Sequence, residues 1–317
     1  MMNKINVVFF ATPDIALNSF KSLLDDNAFN VSALVTQPAR PKGRGKKIID
    51  SPIKKEAIER NIPVFEPVKV SKDDEVLEKI KSLNPDFFVT FAFGQILSQK
   101  VLDIPKFYTI NLHASLLPKY RGANPICECL LRGDDKTGVT TMITVLELDA
   151  GDICLTKEIK LDEQTDYPIL CDKISNISPS LIKETLIGLY EHKIQPVKQN
   201  ACEATFTKKM TNDDKILNFN CPSSVIHNKI RAYCGINTTH FQFNGKLIKV
   251  LKSKSVECDL PKEAGEVLNI SKQGILIGCS TNAVLITKVK PEGKKEMSAY
   301  DWSLGAKINK GDVIKCN

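Results

Sequence analysis

INVVFFATPDIALNSFKSLL, residues Ile5–Leu24, decides the fold. Ile5–Phe10 is a nearly continuous apolar run, as a strand buried in a sheet requires. Thr12-Pro13 breaks the run, and Pro13 with Asp14 opens a helical stretch to Leu24. The same alternation repeats outward from it. Val31–Thr36 is the next strand, and Ser51-Pro52 caps a helix over Ile53–Arg60. Pro63–Phe65, Asp86–Ala92, Tyr108–His113, Val139–Val145 and Ile153–Leu161 read as further strands. Ser71–Leu83, a short helix after Asn124-Pro125 to Leu131, and Tyr167–Tyr190 read as helices. This rhythm predicts an α/β fold with a doubly wound, mostly parallel Rossmann-like sheet, whose ligands sit beyond the carboxyl ends of its strands.

Periodicity stops between residues 193 and 207, and the chain changes character beyond. Phe241–Phe243 and Leu247–Leu251 flank Asn244-Gly245, a pair suited to a type I′ hairpin turn. Gly274–Cys279 and Ala283–Val289 are two more strands. The expected organisation is a catalytic domain over 1–192, a linker over 193–207 and a small all-β, OB-like barrel over 208–317, a type of barrel that often binds oligonucleotides.

The chain has 317 residues, 42% hydrophobic and 26% charged, enough apolar content for packed cores and against disorder. No apolar run approaches membrane-span length, and the N-terminal run is too short for a signal peptide, so a cytoplasmic protein is expected. Ten cysteines without a C-x-x-C pair fit reduced, mostly buried thiols. The net charge of +7 is unevenly spread. Residues 205–317 hold 18 basic and 10 acidic side chains, a balance of +8, and residues 40–55 hold seven basic side chains against Asp50. A polyanion touching both regions would account for this, although a scatter of surface lysines is the commoner source of such a charge.

The densest polar run in an apolar setting is TINLHASLLPKYRGANP, residues 109–125. Asn111 and His113 are two apart on one strand and share a face. Leu116-Leu117-Pro118 leaves the strand and Arg121-Gly122 turns beyond it. Asp149-Ala150-Gly151-Asp152 is an acidic turn that a parallel arrangement would bring to the same carboxyl edge. An amide that can bind an oxyanion, an imidazole that titrates near neutrality and a carboxylate that can take a proton make an acyl-transfer site. On the residues alone, a His that satisfies buried backbone groups and an Asp that caps a turn are an equal alternative.

No G-x-S-x-G elbow, phosphate loop or H-E-x-x-H pair is present, and the four histidines are far apart in sequence, so no metal is expected. Cys127 and Cys129 read as packing residues. RPKGRGKK, residues 40–47, reads as a mobile basic arm after the second strand, able to neutralise phosphates.

At these residues the chain resembles the methionyl-tRNA formyltransferases, a family of folate-dependent enzymes, nearly end to end. The family opening F-x-G-T-P-x-F stands as Phe9-Phe10-Ala11-Thr12-Pro13-Asp14-Ile15, and its basic loop as TQPARPKGRGKK at 36–47. The formyl-transfer signature is intact as NLHASLLPKYRGANPI at 111–126, with TGVTTM at 137–142, LDAGD at 148–152 and PEGKKEM at 291–297. The resemblance implies formyl transfer from 10-formyltetrahydrofolate to the methionine amine on initiator methionyl-tRNA. Asn111, His113 and Asp149 match the family's catalytic trio, and Ser115, Leu116, Leu117 and Pro118 its folate-contacting segment. Arg40, Lys42, Arg44, Lys46 and Lys47 match its tRNA-binding loop, while the C-terminal barrel would hold the tRNA body. The resemblance also implies a monomer that works away from membranes.

Four departures stand out: Ala11 and Ala39 where the family usually has Gly and Asp, Phe93 for a common Tyr, and Cys127-Glu128-Cys129 in its helix. None touches the trio. The alternatives are a formyltransferase acting on a nucleotide or sugar-nucleotide amine, a 10-formyltetrahydrofolate hydrolase, and an RNA-binding module with a decayed site. The last conflicts with the intact trio.

Overall fold

The computed structural model describes residues 4–39, 41–42, 47–258 and 263–314. From the N-terminus come β1 (Ile5–Ala11), α1 (Leu17–Leu24), β2 (Phe29–Val35), the two-residue strands β3 (Pro41–Lys42) and β4 (Lys47–Ile48), α2 (Pro52–Glu59) and β5 (Val64–Phe65). Next are α3 (Asp74–Ser82), β6 (Phe87–Phe91), α4 (Gln99–Leu102), β7 (Tyr108–His113), α5 (Pro125–Arg132), β8 (Lys136–Ile143), β9 (Ile153–Lys160) and α6 (Tyr167–Tyr190). The remainder holds α7 (Ser223–Tyr233), β10 (His240–Phe243), β11 (Lys246–Val256), β12 (Val267–Ser271), β13 (Gly274–Gly278), β14 (Ala283–Pro291), β15 (Met297–Ser298) and α8 (Ala299–Ala306).

These elements form two compact units. The first runs through Gly122 and takes up Thr137–Ile159 and Cys171–Phe206; the second holds Ala123–Lys136, Lys160–Leu170 and the chain from Thr207 onward. The seven-stranded sheet has the order β5-β2-β1-β6-β7-β8-β9. β1 lies inside the sheet, between β2 and β6, and both its faces are apolar. Phe9 meets Phe20 of α1 at 5.4 Å, while Phe10 meets Phe88 and Phe93 at 4.8 and 5.4 Å. Around Phe10 gather Val8, Val35, Leu77, Ile80 and Val101, all buried. Burying such side chains on both faces stabilises by roughly 1.5–3 kcal/mol each.

Helix starts follow local chemistry. The Ser51 hydroxyl accepts from Lys54 N–H ahead of Pro52, and Asp73 accepts from Val76 N–H before α3. Strands β5, β2, β1, β6 and β7 are parallel, but β8 is antiparallel to β7, pairing Ile110 with Ile143 and His113 with Thr140. The expectation that the Asp149 turn would share a carboxyl edge with His113 through strand direction is therefore corrected. A parallel crossover needs a connecting helix on the sheet face, and α5, the helix between these strands, packs within the second unit.

In the second unit the strand path is β10-β11-β14-β13-β12, with β15 beside β14. Asn244 and Gly245 take φ of 48° and 72°, the left-handed pair a type I′ turn requires. Phe241 sits between Phe219 and Trp302 in the core, and α7 and α8 pack against the sheet. Two buried polar side chains tie distant stretches to α7. Arg231 donates to the carbonyls of Leu130, Asp162 and Thr165. His227 Nε2–H donates to the Glu163 carbonyl while Ser253 hydroxyl meets Nδ1, both at 3.0 Å.

Burial holds the His227 imidazole below its ordinary pKa. An unfolded chain with an ordinary value near 6.5 therefore binds the proton first. Stability is fully retained above about pH 6.5 and falls as pH drops toward the lowered folded value. Thermal midpoints measured from pH 7.5 to 5 should show this fall, and His227→Gln should flatten it. An unchanged slope would remove His227 as a cause.

Candidate active site

Asn111 and His113 lie two residues apart on β7, so the pleat presents both on one face. Thr90 on β6 is in register with Asn111, and its hydroxyl donates to Asn111 Oδ1 at 2.8 Å. That bond turns the amide so that its NH2 group points away from Thr90, and among the described residues no acceptor takes those hydrogens. Thr90 is therefore the residue that orients Asn111.

His113 is only 5% exposed. Its Nε2 lies 2.9 Å from the Tyr120 carbonyl oxygen. A carbonyl can only accept, so Nε2 carries the hydrogen and Nδ1 is left to exchange protons. Nδ1 faces Asp149 Oδ2 at 3.6 Å, too long for a hydrogen bond but within ion-pair reach. The same Oδ2 accepts from Gly122 N–H at 2.7 Å, a charge-assisted bond that fixes the carboxylate. Gly122 has φ of 111°, which a side chain would oppose.

Asp149 reaches this spot on the loop between β8 and β9. Ile143 N–H bonds to the Asp152 carbonyl at the loop base, and Asp149 adopts φ of 48° at its bend. Gln199 lies beneath, donating to the carbonyls of Asp149 at 2.8 Å and Gly151 at 2.7 Å and accepting twice from Arg121. Arg121 is buried, with its guanidinium 5.9 Å from the Phe206 ring centre.

The turn after His113 is built around Thr140, which stands opposite it on β8. The Thr140 hydroxyl donates to the Ser115 carbonyl at 2.7 Å and accepts from Leu117 N–H at 3.2 Å. Ser115 hydroxyl donates to the Lys119 carbonyl, and the Leu117–Pro118 peptide is cis. Ser115, Leu116, Leu117 and Pro118 thus belong to one hydrogen-bonded turn that follows His113 in sequence. Cys154 carries no nucleophile, since burial first and Asp152 second push its thiol up to about 12.

Of the basic loop, Lys42 and Lys47 pair in register across β3 and β4. Arg40, Arg44 and Lys46 lie outside the described residues. On the second unit, exposed Lys249 and Lys290 stand directly opposite each other on β11 and β14. Lys252 and Lys288 are also opposed, balanced by Asp166 and Glu296 at 2.9 and 2.8 Å. Among the described residues no cluster of His, Cys, Asp and Glu could hold a metal ion, and no helix is long and apolar enough to cross a membrane.

Residue reasoning missed Thr90, Gln199 and the backbone groups of Tyr120 and Gly122. Thr90 had a signal, a lone hydroxyl inside the apolar run DFFVTFA. Gln199 had none.

An oriented amide and an imidazole at the end of β7, with an anchored carboxylate brought to them by the β8–β9 loop, are the groups that acyl-transfer chemistry requires. Comparison with known proteins gives the particular family. The formyl transferase pattern matches residues 3–186 and the formyl transferase C-terminal domain residues 209–307. The chain belongs to the formyl transferase family. It is 39% identical to the methionyl-tRNA formyltransferase of Clostridium acetobutylicum, over 98% of this chain and 100% of that one. The Clostridioides difficile enzyme of the same name is 40% identical, with 98% and 100% covered. An N-formyltransferase from Helicobacter canadensis, solved with folinic acid and dTDP-3-aminofucose, shares the fold with a TM-score of 0.67 at 20% identity, over 89% of this chain and 98% of that one.

Gly151 closes the Asp149 turn against β8, where an added Cβ would lie 1.7 Å from the Ile143 carbonyl oxygen. Gly151→Ala should lower the melting temperature by several degrees, and its crystal structure should show the turn displaced. An unshifted turn at wild-type stability would mean that the contact is relieved elsewhere.

Proposed function

We infer that this chain transfers a formyl group from 10-formyltetrahydrofolate to the α-amino group of methionine on initiator methionyl-tRNA. The observation that carries the chemistry is the placement of Asp149 Oδ2 against both His113 and Gly122 N–H. The acceptor follows from full-length similarity to relatives named methionyl-tRNA formyltransferase.

The residues present fit a folate donor. Asn111 offers amide hydrogens to a formyl oxygen, and exposed Val145, Leu146 and Leu148 line the Asp149 loop with apolar surface suited to flat rings. We assign the Ser115–Pro118 turn to folate contact. The donor supplies a formyl group at an acyl oxidation level, attached through nitrogen. Asn111 Nδ2 donates to the formyl oxygen as the methionine amine attacks, stabilising the negative charge gathered there. His113, protonated at Nδ1, adds positive charge beside it. Asp149 takes the proton released by the amine, and a proton passes through the His113–Asp149 pair to the departing folate nitrogen. The C–N bond to folate breaks as the C–N bond to methionine forms, so no oxidant or reductant is needed.

The loop basic residues Arg40, Lys42, Arg44, Lys46 and Lys47 meet the phosphates near the reactive end of the tRNA. The lysine rows of β11 and β14 meet phosphates farther along it. Like charges directly opposite on a sheet are destabilising by a few tenths of a kcal/mol to about 1 kcal/mol, a cost consistent with a surface that faces a polyanion. A cytoplasmic monomer is the form this reading implies.

Formyl transfer to charged initiator and elongator methionyl-tRNAs tests the reading. Initiator methionyl-tRNA should be formylated; inactivity on both, with turnover of a small amine, would overturn the assignment. His113→Ala or Asp149→Ala should lower turnover about 100-fold or more, the scale of general acid–base loss. A fall under threefold would mean that these groups are misassigned.

Replacing Arg44, Lys46 and Lys47 together by Ala should weaken tRNA use and flatten its dependence on salt, because fewer counterions are released. An unchanged salt slope would return the loop to a merely solvated role.

A further inference from the structure

We propose that Gln199 is a positioning residue for the reaction: it sets the Asp149 carboxylate by holding the backbone of its turn, and Arg121 holds Gln199. The inference rests on the formyl-transfer reading above.

Gln199 is 8% exposed, and its side-chain amide is used completely. Oε1 accepts from Arg121 Nε at 3.1 Å and Nη2 at 2.9 Å, and Nε2 donates to the carbonyls of Asp149 and Gly151 at 2.8 and 2.7 Å. An amide has two acceptor sites and two hydrogens, so these four bonds satisfy it, and Met142 Sδ adds only a weak contact with Nε2 at 4.0 Å. They also fix its orientation, because a guanidinium only donates and a carbonyl only accepts.

The segment carrying Gln199 is itself anchored. Val197 and Ile153 exchange backbone bonds of 2.8 Å in both directions, beside the start of β9. Arg121 is anchored as well, through its N–H to the Thr205 carbonyl at 2.8 Å. Its chain neighbours are Tyr120, whose carbonyl holds His113, and Gly122, whose N–H holds Asp149. The contacts close a ring: Asp149 carboxylate, Gly122, Arg121, Gln199, and back to the Asp149 backbone. Asp149 needs such a support, since its left-handed φ of 48° is uncommon for a residue with a side chain. Gly122 fixes one end of the aspartate and Gln199 the other. Without Gln199 the turn is free to shift, and a displacement near 1 Å at a reacting group can cost about 100-fold.

Gln199→Glu separates the two halves of this contact. A carboxylate still accepts from Arg121 but brings no hydrogen to the Asp149 and Gly151 carbonyls. The measurement is a kinetic cycle in the full chain with initiator methionyl-tRNA and 10-formyltetrahydrofolate: wild type, Gln199→Glu, Asp149→Asn and the double variant. Gln199→Glu should lower kcat 30-fold or more while each KM stays within threefold. In the Asp149→Asn background the same change should cost less than threefold, because it acts only through the aspartate. Gln199→Met, uncharged and of similar length, repeats the cycle if Gln199→Glu does not fold. Multiplicative losses, a change confined to KM, or kcat within threefold of wild type in both variants would overturn the proposal. Inactive wild-type protein, or an Asp149→Asn variant as fast as wild type, would instead overturn the underlying reading.

Discussion

β8 runs antiparallel to β7, so its far end leaves the sheet beside Ile110 while His113 stands at the opposite end of β7. Three strand residues, roughly 10 Å at about 3.3 Å each, separate the two places. The carboxylate that faces His113 comes from the loop after β8, and the loop has to carry it back over that distance. Several unusual features of the first unit answer this one demand: the left-handed Asp149, the close fit of Gly151 on Ile143, the positive φ of Gly122 and the saturated amide of Gln199. Each acts through the backbone or a polar side chain, because the apolar side chains of the loop, Val145, Leu146 and Leu148, are exposed rather than packed beneath it.

The second unit solves a related problem differently. Its pieces come from three separate stretches of the chain, and α7 gathers them with buried polar side chains as well as with apolar ones. Arg231 satisfies carbonyls at Leu130, Asp162 and Thr165, and His227 one at Glu163. These carbonyls lie outside the strands, in helix α5 and in the stretch before α6, and those of Leu130 and Asp162 also accept the backbone N–H groups of Gly133 and Thr165. A long side chain with several donors can serve them all, at the cost of taking a cation out of water.

Much of this architecture is legible in the sequence. Tyr108–His113 and Tyr167–Tyr190 coincide with their observed elements, and the other strands of the first sheet differ by only a few residues at their ends. Apolar runs and capping residues are local signals, and local signals suffice there. The pairing of Asn111 and His113 on one face is equally local, a consequence of the strand period. Strand direction is not local: nothing in KTGVTTMI distinguishes a parallel from an antiparallel neighbour of β7, and the helix before it reads like any crossover helix. Gln199 falls in a stretch without periodicity, where a buried amide looks like any other polar residue. Thr90 shows the middle case. Its polarity is visible in an apolar run, but its partner Asn111 becomes visible only once β6 and β7 are placed in register.

The lysine pair Lys249 and Lys290 has a thermodynamic corollary. Their mutual repulsion belongs to the folded sheet and is largely absent from the unfolded chain, where the two residues are 41 positions apart in sequence. A bound polyanion would relieve a penalty that only the native state bears, and a ligand that prefers the native state raises its stability by mass action. On the proposed reading, substrate and fold would then be coupled in the second unit: a bound nucleic acid would act as a folding counterion, and the unit would be most stable while occupied.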